Sequence, residues 1–203
     1  MARTIVAVSN EYGAGGSIVG ERAASLLGYE LVDEQLPVVI ARRLKISEQD
    51  AEAAEDTRRS VGERMLASLG RGTPELALGN LSPPLEEQYV AEVRKAVLEY
   101  AARGRVVILG RGAGAILGRR PDVLRVFLHA PKAWRIGYVV KLHAADEKTA
   151  SAEVERVDAA RRAYLRDIYG VDFGDPHHYD LCLDVAQLGH ERCAALIALA
   201  ATA

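Results

Sequence analysis

Residues 4–17 read TIVAVSNEYGAGGS, and this stretch decides which fold the chain can adopt. The apolar run at its start predicts a buried strand, and the amphipathic residues 18–27 that follow predict a helix. Three glycines within four residues join the two elements. Glycines allow a positive φ, so successive N–H groups can converge on one point at the start of the helix. The stretch predicts an anion-binding turn, and the alternative is a turn that needs glycine for its geometry alone.

The turn matches the phosphate-binding pattern G-x-x-x-x-G-K-[ST] only in part. Gly15 takes the place of the last glycine, and Ser17 takes that of the hydroxyl that binds magnesium. Gly16 stands where the lysine belongs, and Asn10 stands where the first glycine belongs. Tyr12, inside the turn, is expected to be exposed. Phosphate is expected on the backbone of five residues, of which Ser17 also ligates Mg²⁺: Gly13, Ala14, Gly15, Gly16 and Ser17.

A dinucleotide-binding turn of pattern G-x-G-x-x-G is the minor alternative for the same stretch. Gly13 and Gly15 fit its first two glycines, and Asp33 lies at the distance expected of an acid that binds ribose. Ile18 occupies the third glycine position, where its side chain is too bulky for close helix–strand packing. The phosphate-binding interpretation is therefore favoured.

Composition places the chain among globular proteins and excludes several functions. Hydrophobic residues make up 49% and charged residues 27% of its 203 residues, and the formal net charge is −2. This charge disfavours a general nucleic-acid binder, and no apolar run is long enough to span a membrane. Cys182 and Cys193 are the two cysteines and are expected to be reduced, as in the cytoplasm. The sequence leaves open whether the protein forms a homo-oligomer.

Short apolar runs alternate with helical patterns along most of the chain, which predicts an α/β fold. Such alternation favours a parallel sheet covered on both faces, with ligands beyond the carboxyl ends of its strands. Residues 47–85 fall outside the alternation and predict an insert, either a substrate-covering subdomain or a peripheral helical hairpin. Strands are predicted at 4–9, 30–32, 105–109, 124–129 and 181–185, and helices at 16–27, 34–45, 86–103, 132–144, 148–168 and 190–200.

Taken in order, the segments 9–17, 27–33, 107–113, 125–131 and 158–164 resemble the cytidylate kinase-like family, a branch of the P-loop nucleoside-monophosphate kinases. The resemblance implies a single P-loop NTPase domain over 1–203, with an adenylate-kinase-like three-layer fold. It further implies a five-stranded parallel sheet, a helical insert near 47–85 and a lid near 145–170. The implied activity is phosphoryl transfer from ATP, with Mg²⁺, to a small-molecule nucleotide.

The same resemblance assigns roles to individual residues. Arg111 matches the arginine that holds the acceptor phosphate, and the alternative is that it is an ordinary surface arginine. Asp158 and Arg161 match the D-x-x-R of the lid, which makes Arg161 a favoured catalytic residue and Arg162 a further candidate. A solvated helix with ion pairs is the alternative for this segment. Asp33 is expected either to orient a magnesium-bound water or the acceptor, or to cap the helix 34–45.

The missing lysine leaves two classes of function open. A kinase needs a cation at the loop, because phosphoryl transfer depends on positioning and charge neutralisation. Arg22, Arg161 or Arg162 is expected to supply that cation. The alternative is a nucleotide-binding or regulatory protein on a kinase fold that transfers no phosphate. The retained hydroxyl of Ser17 and the arginines favour the kinase.

Overall fold

The structure is a computed structural model that describes residues 3–33 and 83–203. Five strands and six α-helices alternate through these residues, with one 3-10 turn at Pro176–His178. The predicted helix 34–45 and nearly all of the predicted insert 47–85 lie outside the described residues. The elements are β1 Ile5–Asn10, α1 Gly16–Leu27, β2 Glu30–Val32, α2 Pro83–Arg103, β3 Val106–Leu109, α3 Ala113–Leu117, β4 Val123–His129, α4 Lys132–His143, α5 Glu147–Tyr169, β5 Leu181–Asp184 and α6 Val185–Thr202.

The five strands form one parallel sheet in the order β2-β3-β1-β4-β5. β1 lies at the centre, where Ile5 pairs with Val106 on one side and with Val123 on the other. Consecutive strands run in the same direction only if a crossover joins them, and helices provide these crossovers. The predicted three-layer α/β fold with a five-stranded parallel sheet is confirmed.

Two apolar layers cover the faces of the sheet, and β1 contributes to both. Ile5 and Ala7 point into a layer formed with α2, α3 and the end of α5, whereas Val6 and Val8 point into a layer formed with α1 and α6. Side chains alternate between the faces of a strand, so a central strand of a covered sheet must be apolar throughout. This is why β1 has the continuous apolar run from which the fold was predicted.

Two helices, α3 and α6, differ from the sequence-based prediction. The short helix α3 was not predicted, because five residues give too little periodicity to detect. α6 begins at Val185 rather than at 190, since the Asp184 side chain accepts hydrogen bonds from the N–H groups of Ala186 and Gln187. A break at Gly189, with φ of +74°, interrupts this helix, and the predicted start lay just beyond the break.

The helix α5 corresponds to the predicted lid helix and runs one residue further at each end. Asp146 caps its first turn by accepting a hydrogen bond from the Thr149 N–H, and Gly170 ends it in the left-handed conformation. α5 packs along α4 and crosses the carboxyl ends of the central strands. No helix in the described part of the chain is long and apolar enough to cross a membrane.

Candidate functional site

The turn between β1 and α1 leaves the start of a helix without a side-chain cap. Gly15 precedes the helix with φ of +72°, a conformation that glycine adopts without strain. α1 begins at Gly16, and within the described residues its start has no side-chain cap hydrogen bond. The first N–H groups of a helix need an acceptor from outside the helix. An anion can provide that acceptor here, as the sequence predicts.

Position 16 is filled by a neighbouring side chain. A Cβ atom built on Gly16 would lie 2.6 Å from both Cγ and Oδ1 of Asn10. The Asn10 carboxamide is held in place because its Nδ2 donates a hydrogen bond to the Glu11 carbonyl oxygen over 2.9 Å. The two positions at which the turn departs from the phosphate-binding pattern are therefore in direct contact.

Ser17 and Asp33 form an oxygen-rich pair at the edge of the turn. The Ser17 Oγ donates a hydrogen bond to Asp33 Oδ2 over 3.1 Å. Ser17 lies in the first turn of α1 and Asp33 directly follows β2, so the sheet brings together two residues predicted to act on the same ion. The alternative role of Asp33, as the cap of helix 34–45, involves residues outside the described part of the chain.

Arg111 is held in a strained and desolvated position directly after β3. Its side chain is buried, with 5% of the residue exposed, and its φ is +58°. Its Nε atom is buried and has no hydrogen-bond partner in the described residues. A buried donor atom without a hydrogen-bond partner and a left-handed backbone both cost free energy. Such costs are concentrated at functional sites, which makes Arg111 a candidate site residue; its role in holding the acceptor phosphate stays a prediction.

Arg161 reaches the same place from α5. Its Nη1 donates a hydrogen bond to the main-chain carbonyl oxygen of Asn10 over 2.7 Å. Arg161, Asn10 and Arg111 line one small cavity, together with Tyr164 and Phe173. None of the described residues around this cavity carries a carboxylate. The cavity therefore combines two guanidinium groups with a local excess of positive charge, which suits an anion such as a phosphate.

The other two predicted sources of cation are placed differently. Arg162 lies on the exposed side of α5 and is not among the described residues that line the cavity. Arg22 forms a salt bridge with Glu191 of α6, so its charge is already matched on the outer side of α1. The structure brings Arg161 to the loop and leaves Arg22 and Arg162 at the surface.

A buried ion pair ties α5 to the turn. Arg135 Nη1 lies 2.7 Å from Asp158 Oδ2, and both residues are buried. Asp158 Oδ1 accepts a hydrogen bond from the Tyr12 N–H, and the same Arg135 nitrogen donates one to the Tyr12 carbonyl oxygen. Glu11 completes the group, with its Oε2 3.2 Å from Arg135 Nε. Asp158 therefore acts as a structural anchor, and Arg161 reaches the loop one helical turn further on.

Tyr12 is not exposed, which corrects the expectation from its place inside the turn. Only 8% of the residue is exposed, and its hydroxyl donates a hydrogen bond to Glu153 Oε1 over 3.0 Å. Burial, followed by the charge of Glu153, raises the pKa of Tyr12 to about 12. The helix α5 covers this side chain, and contact across 141 positions of the chain cannot be predicted from the turn alone.

His190 was missed by the sequence analysis and lies against the turn. A Cβ atom on Gly15 would lie 2.2 Å from His190 Nε2, a buried atom without a hydrogen-bond partner among the described residues. Its ring also contacts the stacked rings of Trp134 and Tyr138. Burial, and then the charge of Arg22, lowers the pKa of His190. No local signal marks this residue, because the contact joins opposite ends of the chain.

Gly15→Ala is expected to destabilise the protein more than a left-handed backbone alone explains. The backbone term is about 1–2 kcal/mol, and the contact with His190 adds to it. Gly170→Ala is the matched control, since Gly170 has a similar φ of +66° and no atom near a built Cβ. Urea unfolding should show that adding His190→Ala brings the cost of Gly15→Ala down to the control value. An equal cost with and without His190 would contradict the contact.

Comparison with known proteins identifies relatives along most of the chain. A model of the cytidylate kinase-like family matches residues 5–187. The cytidylate kinase of Ignicoccus hospitalis is 25% identical over 188 residues, which cover 93% of each chain. The cytidylate kinase of Methanocaldococcus jannaschii is 29% identical over 99 residues, 47% of this chain, and the match spans 55% of that protein's length.

Solved structures share the fold over nearly their whole length. An uncharacterized protein from Eubacterium ventriosum superposes with a TM-score of 0.66 at 21% identity, covering 98% of both chains. Shikimate kinase from Acinetobacter baumannii, solved with shikimate, superposes with a TM-score of 0.53 at 15% identity, covering 96% of this chain and 90% of the kinase. At these identities the likeness shows the fold alone.

Proposed function

Because the chain belongs to the cytidylate kinase-like family, we propose that it transfers the γ-phosphoryl group of ATP to a small acceptor, most simply a nucleoside monophosphate. Membership of a kinase family supports phosphoryl transfer in general, and the identity of the acceptor is a more specific proposal. The observation that carries it is Arg111, buried at the end of β3 with an unpartnered Nε, beside Arg161. A fold retains such a side chain when a bound anion offsets its cost.

In this proposal the parts of the site divide the work of transfer. The N–H groups of Gly13, Gly15, Gly16 and Ser17 hold phosphate oxygens of the donor at the uncapped start of α1, whereas the Ala14 N–H donates to the Glu11 carbonyl oxygen within the turn. Arg111 holds the phosphate of the acceptor, for which its planar guanidinium is well suited. Arg161, which is bonded to the Asn10 carbonyl oxygen and lines the same cavity as Arg111, neutralises charge on the phosphoryl group as it moves. Positioning and charge neutralisation are the main contributions that this reaction needs from a protein.

Magnesium fits the pair formed by Ser17 and Asp33. Mg²⁺ prefers oxygen ligands, and a hydroxyl and a carboxylate oxygen lie 3.1 Å apart here. When bound, the ion supplies positive charge to the phosphate oxygens. We propose that Ser17 is a direct ligand and that Asp33 accepts a hydrogen bond from Ser17 or from a water on the ion.

We propose that the body of the acceptor occupies a second cavity of about 190 Å³ beside Arg111. The two cavities share Ser9, Gly112 and Leu165, so a molecule can extend from one into the other. Glycine and alanine residues of α3 form one wall, and Arg119 and Tyr179 are among the residues that complete it. This mixture of small and polar groups suits a compact polar molecule.

A cytoplasmic location is proposed because both cysteines, Cys182 and Cys193, are free.

Transfer from labelled ATP to a panel of nucleoside monophosphates and small hydroxyl acceptors, with Mg²⁺, tests the proposal. Turnover is expected for at least one monophosphate. Ser17→Ala is expected to raise the Mg²⁺ concentration that gives half the maximal rate by about tenfold or more. Ser25→Ala, on an exposed position of the same helix, should leave it unchanged. ATP binding without turnover for any acceptor would favour the regulatory alternative and reject the kinase.

A further inference from the structure

The glycine at position 16 is required by its neighbour and not by its backbone. Gly16 is the first residue of α1 and is not among the residues with positive φ, so any L-residue fits its conformation. Space decides instead, because a Cβ atom there would lie 2.6 Å from Asn10 Cγ and 3.0 Å from Nδ2. Real Cβ atoms do not approach other heavy atoms at 2.6 Å. The Cβ atom of a lysine at position 16 would clash with the Asn10 side chain.

The two departures from the phosphate-binding pattern are therefore one structural change. In the pattern, glycine stands at the first position and lysine at the seventh. Here the Asn10 side chain occupies the space into which a side chain at position 16 would extend, and its Nδ2 hydrogen bond to the Glu11 carbonyl oxygen holds it there. A glycine at position 16 is then the consequence of the asparagine at position 10.

The backbone of Asn10 also holds the cation that reaches the loop from outside. Its carbonyl oxygen accepts the hydrogen bond from Arg161 Nη1, and the guanidinium lies 5.9 Å from the centre of the Tyr12 ring. α5 cannot easily withdraw Arg161, because the buried pair of Arg135 and Asp158 fastens this helix to Tyr12. A fixed helix places the guanidinium at the loop before any ligand binds.

We propose that the Asn10 side chain excludes a lysine from position 16, and that Arg161, bound to the main-chain carbonyl oxygen of Asn10, takes the place of that lysine at the loop. The steric part stands on the contacts alone, whereas the part concerning Arg161 rests on the proposed function. Asn10 and Gly16 form a coupled pair, and Arg161 is needed because of that pair. Restoring glycine at position 10 and lysine at position 16 should make Arg161 dispensable.

Thermal unfolding tests the steric part without any assay of activity. Gly16→Ala is expected to lower the Tm of the native chain by about 2–4 °C or more, because the new methyl group meets Asn10. In an Asn10→Gly background the same change should raise the Tm, since alanine favours a helix over glycine. Gly137→Ala, in α4 with nothing near a built Cβ, should raise the Tm in both backgrounds. Equal shifts for Gly16→Ala in the two backgrounds would overturn the coupling.

Titration calorimetry with ATP and Mg²⁺ tests the role of Arg161. In the native chain, Arg161→Met is expected to weaken binding by about tenfold or more, since a charge-assisted hydrogen bond to phosphate is lost. In the Asn10→Gly/Gly16→Lys chain, the same change should weaken binding less than threefold. If Arg161→Met weakened ATP binding equally in both chains, the proposal that Arg161 replaces the lysine would be wrong. If only the proposed function is wrong, the native chain will show no turnover, while Gly16→Ala will still change the Tm differently in the native and Asn10→Gly backgrounds.

Discussion

Arg111→Met is expected to reduce phosphoryl transfer severely while leaving the protein at least as stable as the native chain. Methionine is a flexible apolar side chain that can fill much of the same space, and it removes a charge that is buried without a partner for its Nε. The free energy of unfolding should therefore stay equal or rise, as measured in urea. kcat/KM should fall about 10²-fold or more, because the acceptor phosphate loses the guanidinium that positions it for transfer.

Two further variants make this result specific. Arg120→Met removes an exposed arginine whose ion pair with Asp122 lies at the surface, so neither rate nor stability should change appreciably. Arg111→Lys keeps the charge and loses the planar fork, so it should retain part of the activity. If Arg111→Met lost several kcal/mol of stability and kept its rate, the guanidinium would be a structural group rather than a ligand-binding one.

Asp158→Ala is expected to produce the largest loss of stability among single changes at the site. It removes the closer of the two carboxylates at the buried Arg135 and leaves Glu11, and it also removes the acceptor of the Tyr12 N–H. Breaking a buried pair by removing one partner costs about 3–5 kcal/mol, because the remaining charge stays desolvated. Urea unfolding followed by circular dichroism measures this cost.

A control on the same helix separates burial from charge. Glu155→Ala breaks the exposed pair with Lys132 and should cost less than about 1 kcal/mol. The double change Arg135→Met/Asp158→Leu should recover much of the stability lost by Asp158→Ala, since it removes both charges. Similar costs for Asp158→Ala and Glu155→Ala would show that the pair with Arg135 contributes little.

The fold was predictable because its signals are local and repeated. An apolar run such as residues 5–8 indicates a central strand of a covered sheet, and glycines between a strand and a helix indicate a tight turn. The parallel order then places the turn, Asp33 and Arg111 at the same edge of the sheet. The short helix α3 was not predicted because five residues show too little periodicity. The start of α6 was placed too late because the break at Gly189 interrupts its helical pattern after the Asp184 cap.

The sequence by itself determined the α/β class, the turn with its open helix start at Ser17, and the strand ends that precede Asp33 and Arg111. These follow from periodicity and from the direction of strands, which are properties of short segments. Tertiary structure alone decided which residues meet: Asn10 with Gly16 across the turn, Arg161 with the Asn10 carbonyl oxygen, and His190 with Gly15. It also decided that Asp158 pairs with the buried Arg135 and accepts a hydrogen bond from the Tyr12 N–H. Such contacts join distant positions of the chain, and the packing of α5 and α6 against the sheet sets them rather than any local preference.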